Sequence, residues 1–120
     1  MSLPHPIPED LAEVIAHRLR AIAEPMRIRL IDCLRDGEAC VGDLVAATGA
    51  SQQNVSKHLL VLLDADIVAR RKHGNHVYYR VVDEGVFALC EQVCGTIERQ
   101  LLELSSLLET GGREQGKKGI

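Results

Sequence analysis

The stretch TGASQQNVSKHLLVLLD, Thr48 to Asp64, decides the fold. Within it Val55, Leu59, Leu62 and Leu63 recur at helical spacing, so one face of a helix turns inward. Ser51 stands where an N-cap belongs, its side-chain oxygen able to accept from a first-turn amide. Thr48-Gly49-Ala50 is a tight turn. Just upstream, roughly Val41 to Ala47 reads as a short helix with Val41, Leu44 and Val45 facing inward. Two helices joined by a short glycine-containing turn make a helix-turn-helix.

Working outward, Ile67 to Lys72 and His76 to Val82 read as two strands around His73-Gly74-Asn75, a hairpin with glycine at its tip. On the N-terminal side, Pro25 suits the start of a helix whose apolar face is Ile28, Leu30, Ile31 and Leu34, and Asp36-Gly37 ends it. An earlier helix spans about 9–23, with Glu9 and Asp10 in its first turn and Leu11, Ile15, Leu19 and Ile22 at helical spacing. Pro4, Pro6 and Pro8 make residues 1–8 a flexible arm. Asp83 opens a last helix. Its apolar seam, Val86, Cys90, Val93, Ile97, Leu101, Leu104 and Leu108, steps mostly by alternating fours and threes. A coiled-coil-like seam of that length exceeds what so small a body can cover, so it points to a partner helix. The expected domain is therefore 9–109, mainly α with a small β-hairpin, and the glycine-rich stretch 110–120 reads as a disordered tail.

At 120 residues the chain is one domain, and with aromatics at 2% its core must be aliphatic. No apolar run approaches the roughly 20 residues of a membrane span, and the first residues lack the pattern of a secretory signal, so the cytoplasm is the expected compartment and no membrane partner is expected. In that reducing compartment the four cysteines suit metal binding, redox chemistry or burial better than disulfides. The net charge of −3 hides an asymmetry. Between Ser51 and Arg80, Lys57, Arg70, Arg71, Lys72 and Arg80 face only Asp64 and Asp66, a local charge of +3. A basic face on an acidic body fits a phosphate-contacting surface.

That face carries the reading chemistry. Gln52, Gln53, Ser56 and Lys57 lie opposite or beside the apolar row of the 51–64 helix, in its N-terminal half, with Ser51, Asn54 and His58 completing the set. Amides read adenine edges bidentately, while lysine and serine reach guanine or phosphate. In a helix-turn-helix the start of the second helix is the part that enters the major groove. The hairpin repeats the logic with Arg70, Arg71, Lys72, His73, Asn75 and His76. A solvated helix face and a charged edge strand explain the polarity alone. They do not explain why the basic residues gather beside this helix.

AEPMRIRLIDCL, followed by GEACVGDLVAATGASQQNVSKHLLVLLDADIVARRKHGNHVYYRV, resembles the ArsR/SmtB family of metal- and stress-responsive repressors. The resemblance runs from about Leu19 to Val82. It rests on Pro25 and Arg27, on the Ser-Gln…Val-Ser-x-His-Leu of the 51–64 helix, and on Gly74, Val77, Tyr78 and Tyr79. It implies a winged helix-turn-helix of order α-α-α-α-β-β-α and a homodimer formed through the first and last helices. It also implies binding to an inverted repeat in double-stranded operator DNA, with no cofactor needed for binding, and release by an inducer.

The family's sensing motifs are incomplete here. The third-helix motif Glu-Leu-Cys-Val-Cys-Asp-Leu is matched by Glu38-Ala39-Cys40-Val41-Gly42-Asp43-Leu44, which keeps one thiol of two, and a soft ion wants at least two. The zinc motif of the last helix keeps Asp83 but continues with Gly85, Thr96 and Arg99. Cys90 and Cys94, four apart, share a helix face. They are candidates to hold arsenite, cadmium or lead, with Cys40, Cys33 or a second subunit as third ligand. The same spacing suits a redox or persulfide switch. Against sensing, a free cysteine is a small hydrophobe, and Cys33 between Ile31 and Leu34 reads as core. Two readings from other classes remain: a protein-interaction module on the same fold, and a thiol or metal enzyme. For the enzyme the sequence offers no nucleophile–base pair, phosphate-cradling loop or HExxH motif.

Overall fold

The computed structural model describes residues 2–115, with side chains described to residue 109. In chain order it contains α1 (Glu9–Ile22), α2 (Pro25–Cys33), β1 (Ala39–Cys40), α3 (Val41–Thr48), α4 (Gln52–Asp64), β2 (Val68–His73), β3 (His76–Val81) and α5 (Gly85–Gln115). They form two compact units, one ending at Glu84 and the other starting at Gly85.

In the first unit each helix begins where local chemistry predicts. Glu9 and Asp10 occupy the first turn of α1, where the helix dipole favours negative charge. Pro25 begins α2, and the Glu24 carboxylate accepts from the Arg27 amide at 2.9 Å. The Asp43 carboxylate accepts from the Cys40 amide at 3.2 Å at the start of α3. Gly49 closes α3 with φ 75° and donates its N–H to Val45 O at 2.8 Å. That left-handed turn, cheap only for glycine, swings the chain directly into α4.

The core lies where α2, α3, α4 and the base of the sheet meet. Leu30, Ile31, Leu44, Val55, Leu59, Leu62, Ile67 and Val68 are all fully buried there. Burial of each such side chain is worth about 1.5–3 kcal/mol, so this aliphatic cluster fixes the rotation of α4. Two expected core residues lie outside it. Ile28 is exposed, because it sits about 110° around α2 from the centre of the row Leu30, Ile31 and Leu34. Leu19 is exposed at the margin of the α1 stripe. Leu63, also expected inside, is half-buried.

The hairpin is present with one addition. β1 pairs antiparallel with β3, Ala39 opposite Tyr79 and Cys40 opposite Tyr78, so the sheet has three strands in the order β1-β3-β2. β2 and β3 pair from Val68 opposite Val81 out to His73 opposite His76, and Gly74 turns the tip at φ 63°. Only the base is anchored: Val68 and Tyr79 are buried, while Arg70 to His76 project into solvent.

The second unit is α5. It runs to Gln115, beyond the boundary expected at residue 109. Gly111 and Gly112 lower helix propensity there, but no proline stops the helix. The rest of the expected tail, 116–120, lies outside the described residues. Along α5 the seam residues Val93, Ile97, Leu101, Leu104 and Leu108 are 45–60% exposed.

Candidate nucleic-acid interface

The buried row of α4 determines what the helix presents to solvent. With Val55, Leu59 and Leu62 inward, Gln53 and Lys57 point most nearly opposite, at roughly 150–200° from that row by helical geometry. Gln52 is exposed toward one side, and Asn54 and Ser56 are half-buried on the flanks. Ser51 Oγ accepts from the Asn54 amide at 3.1 Å, so its oxygen serves the helix cap. Leu60 extends the outward strip and is also exposed, a position the sequence reading passes over. Its apolar surface suits a thymine methyl group.

His58 departs from this set. Its side chain is only 13% exposed, with Nδ1 3.6 Å from Glu24 Oε2. Arg27 Nη1 lies 3.1 Å from the same Nδ1. The ring is therefore turned toward the start of α2 and away from Gln53 and Lys57.

In the hairpin, the register puts Arg70 and Lys72 on the sheet face that Val68 and Tyr79 anchor, and Arg71, His73, His76 and Arg80 on the other. Arg71 is not a simple solvent cation. Its Nε donates to Glu38 Oε2 at 2.9 Å, its Nη2 donates to Glu38 Oε1, and its guanidinium lies 5.2 Å from the Tyr78 ring centroid. That fork ties the hairpin to the loop before β1. Among the described residues Arg70 and Lys72 form no ion pair, so their charge is uncompensated, and His73, Asn75 and His76 are exposed beside them.

The hydrogen bond from Arg71 holds the Glu38 carboxyl below the usual glutamate range, and the charges of Arg71, Arg80 and His73 add to this. A group with a lowered folded-state pKa contributes stability that is present above its unfolded value and lost as pH falls through the folded one. Amide protection in residues 38–40 and 70–72, taken relative to the intrinsic exchange rate at each pH, is accordingly expected to hold on acidification until pH drops below the ordinary glutamate range, then to fall. Glu38→Gln, followed by hydrogen exchange across the same range, is expected to remove that acid step.

All four cysteines are free thiols: Cys33, Cys40 and Cys90 are half-buried and Cys94 is exposed. Cys33 is thus not a full core residue. A Cβ placed on Gly42 would lie 3.8 Å from Cys40 Sγ, so the third-helix position adjoining Cys40 is there but bears no second ligand. At the last-helix position, Asp83 is paired with Arg18 at 2.6 Å and Arg99 donates to Thr96 Oγ1, neither arrangement suiting zinc. Cys90 and Cys94 stand one turn apart on α5. Among the described residues, no three histidine, cysteine or acidic side chains converge within one chain.

The family model for bacterial regulatory proteins of the arsR family matches residues 24–70, from the cap of α2 into β2. The chain is 37% identical over 82 residues to the HTH-type transcriptional repressor SmtB of Mycobacterium tuberculosis, a match covering 68% of this chain and 61% of that protein. The chain thus spans about three fifths of that relative. The crystal structure of the antimony-specific transcriptional repressor AntR superposes with a TM-score of 0.73 at 33% identity, covering 82% of this chain and 90% of that one. The homodimeric winged helix-turn-helix DNA-binding domain of Mb0332 from Mycobacterium bovis gives 0.69 at 27% identity, covering 82% and 94%.

Proposed function

Because the chain belongs to the arsR family of bacterial regulatory proteins and has its winged helix-turn-helix fold, we propose that it is an inducible cytoplasmic transcriptional repressor. Two copies pair through their apolar helix faces and bind an inverted repeat in double-stranded DNA. The N-terminal half of α4 enters the major groove, and the hairpin lies against the backbone or minor groove beside it. One observation carries this reading: a fully buried row, Val55, Leu59 and Leu62, aims Gln53 and Lys57 outward, beside a hairpin whose Arg70 and Lys72 remain uncompensated.

The inducer belongs to the soft, thiophilic ions. Cys90 and Cys94 share a face of α5 and supply two thiolates, each losing its proton on binding, with the third from Cys40, Cys33 or the second copy. Likeness to a repressor described as antimony-specific supports a metalloid, with arsenite the first ion to try and cadmium and lead next. The same two thiols support a second reading, a redox switch, in which the helix opens locally: Cβ atoms one turn apart stand about 5–6 Å from each other and a disulfide needs about 3.5–4.5 Å. In it the two thiols pass two electrons and two protons to a peroxide, forming a disulfide and water.

The test begins with selection of bound fragments from a random double-stranded DNA library by the full-length reduced protein. The selected DNA is then titrated with arsenite, Cd²⁺, Pb²⁺, Zn²⁺ and hydrogen peroxide in turn. Release by arsenite or Cd²⁺ that is lost in Cys90→Ser and Cys94→Ser is the expected result. Release by peroxide alone favours the redox reading, and a response unchanged by either substitution overturns the assignment to these two cysteines. Failure to enrich any DNA would overturn the repressor reading in favour of a protein-interaction module.

A further inference from the structure

Arg27 stands at a junction of three helices. Its Nε donates to Ala21 O at 2.6 Å and its Nη2 to Arg20 O at 3.4 Å, taking up carbonyls at the end of α1. Its own amide donates to Glu24 Oε2 and so belongs to the cap of α2. The remaining guanidinium nitrogen, Nη1, reaches His58 Nδ1 on α4. Guanidinium has only donors, so in this contact Nδ1 is the acceptor, which assigns the ring proton to Nε2. One planar fork thereby connects the end of α1, the start of α2 and the middle of the DNA-reading helix, a geometry that lysine cannot reproduce.

His58 follows Lys57 directly and lies about 100° from it around the helix. A ring held on that flank resists rotation of α4 about its axis, and such rotation would swing Gln53 and Lys57 away from a base edge. We propose that His58 is a positioning residue of the DNA-reading helix: through Arg27 it braces the direction that the buried row Val55, Leu59 and Leu62 gives to Gln53 and Lys57, and it does not itself touch nucleic acid. The proposal rests on the DNA-binding reading above and assigns to Glu24, Arg27 and His58 a role that the exposed residues cannot fill. Functional groups must be held by neighbours that are themselves locked, and misplacement by a fraction of a helical step is enough to lose base contacts.

The experiment pairs a spectroscopic signature with binding to the selected DNA. In the full-length protein, the ¹⁵N spectrum of the His58 ring is expected to show a bare Nδ1 and a protonated Nε2. His58→Leu removes the acceptor and is expected to weaken DNA binding by about tenfold or more, as loss of one well-placed base contact implies, with the salt dependence unchanged. His58→Asn places an amide oxygen near the position of Nδ1 and is expected to restore most of the affinity. Arg27→Lys, which keeps the charge and loses the fork, is expected to alter the ring signal and weaken binding even if His58→Leu does not fold.

A protonated Nδ1, full affinity in His58→Leu, or a salt slope reduced by about one unit, as loss of a phosphate contact would give, overturns the proposal. Absence of binding by the unsubstituted protein is a different result: it overturns the DNA reading and leaves the ring signal as the measure of the Arg27–His58 contact.

Discussion

Replacing Gln53 and Lys57 together by alanine is expected to lower affinity for the selected DNA by about a hundredfold or more, with the fold and thermal stability intact. Both side chains are exposed and neither packs in the core, so the loss falls on binding. A bidentate amide contact to a base is worth about 1–3 kcal/mol, and a lysine contact to guanine or phosphate adds to it. The two single variants should differ in kind. Gln53→Ala relaxes sequence preference at one base pair with little change in salt dependence. Lys57→Ala, if its ammonium meets phosphate, weakens binding across sequences and lowers the salt slope by about one unit. Fluorescence anisotropy over a salt series separates these outcomes, and unchanged affinity in the double variant would remove α4 from the interface.

The second large effect belongs to α5. Ile97→Glu together with Leu101→Glu is expected to leave the protein monomeric at micromolar concentration, with its first unit still folded and its specific DNA affinity lost. Five seam residues of α5 are about half exposed in the single chain, and covering such side chains yields about 1.5–3 kcal/mol each when burial is complete. Two carboxylates facing their symmetry mates would have to be buried unpaired, which a modest interface does not tolerate. A monomer keeps one reading helix and loses the second half-site, so only weak binding persists. Analytical ultracentrifugation with anisotropy on the same samples checks both halves. A stable dimer in this variant would move the interface off the α5 seam.

What the sequence shows and what it hides follow from the range of the interactions. The cap at Ser51, the turn at Gly49 and the row Val55, Leu59 and Leu62 are local, each readable within one or two helical turns. The hairpin is equally legible, because Gly74 and the flanking pattern declare it within a dozen residues. β1 is not, since two residues cannot display an alternation and Ala39 and Cys40 become a strand only by pairing with Tyr79 and Tyr78. The ties that order the candidate interface are more distant still. Arg71 meets Glu38 33 positions away, and Arg27 meets His58 31 positions away. A helical wheel puts His58 on a flank, from which either direction is open; the fork of Arg27, with the Glu24 carboxylate beside it, decides. Ile28 shows the same limit in reverse, an apolar residue at a plausible spacing that the tighter row Leu30, Ile31 and Leu34 leaves outside.

The central claim is that two copies of α4 read two half-sites related by two-fold symmetry. Hydroxyl-radical footprinting of the full-length protein on its selected DNA tests this most directly. The expected pattern is two equivalent protected segments centred about 34–36 Å apart, one helical turn or a multiple of it, with matching protection on the two strands. Protection of one segment only, or of the whole fragment without a repeat, would contradict the account.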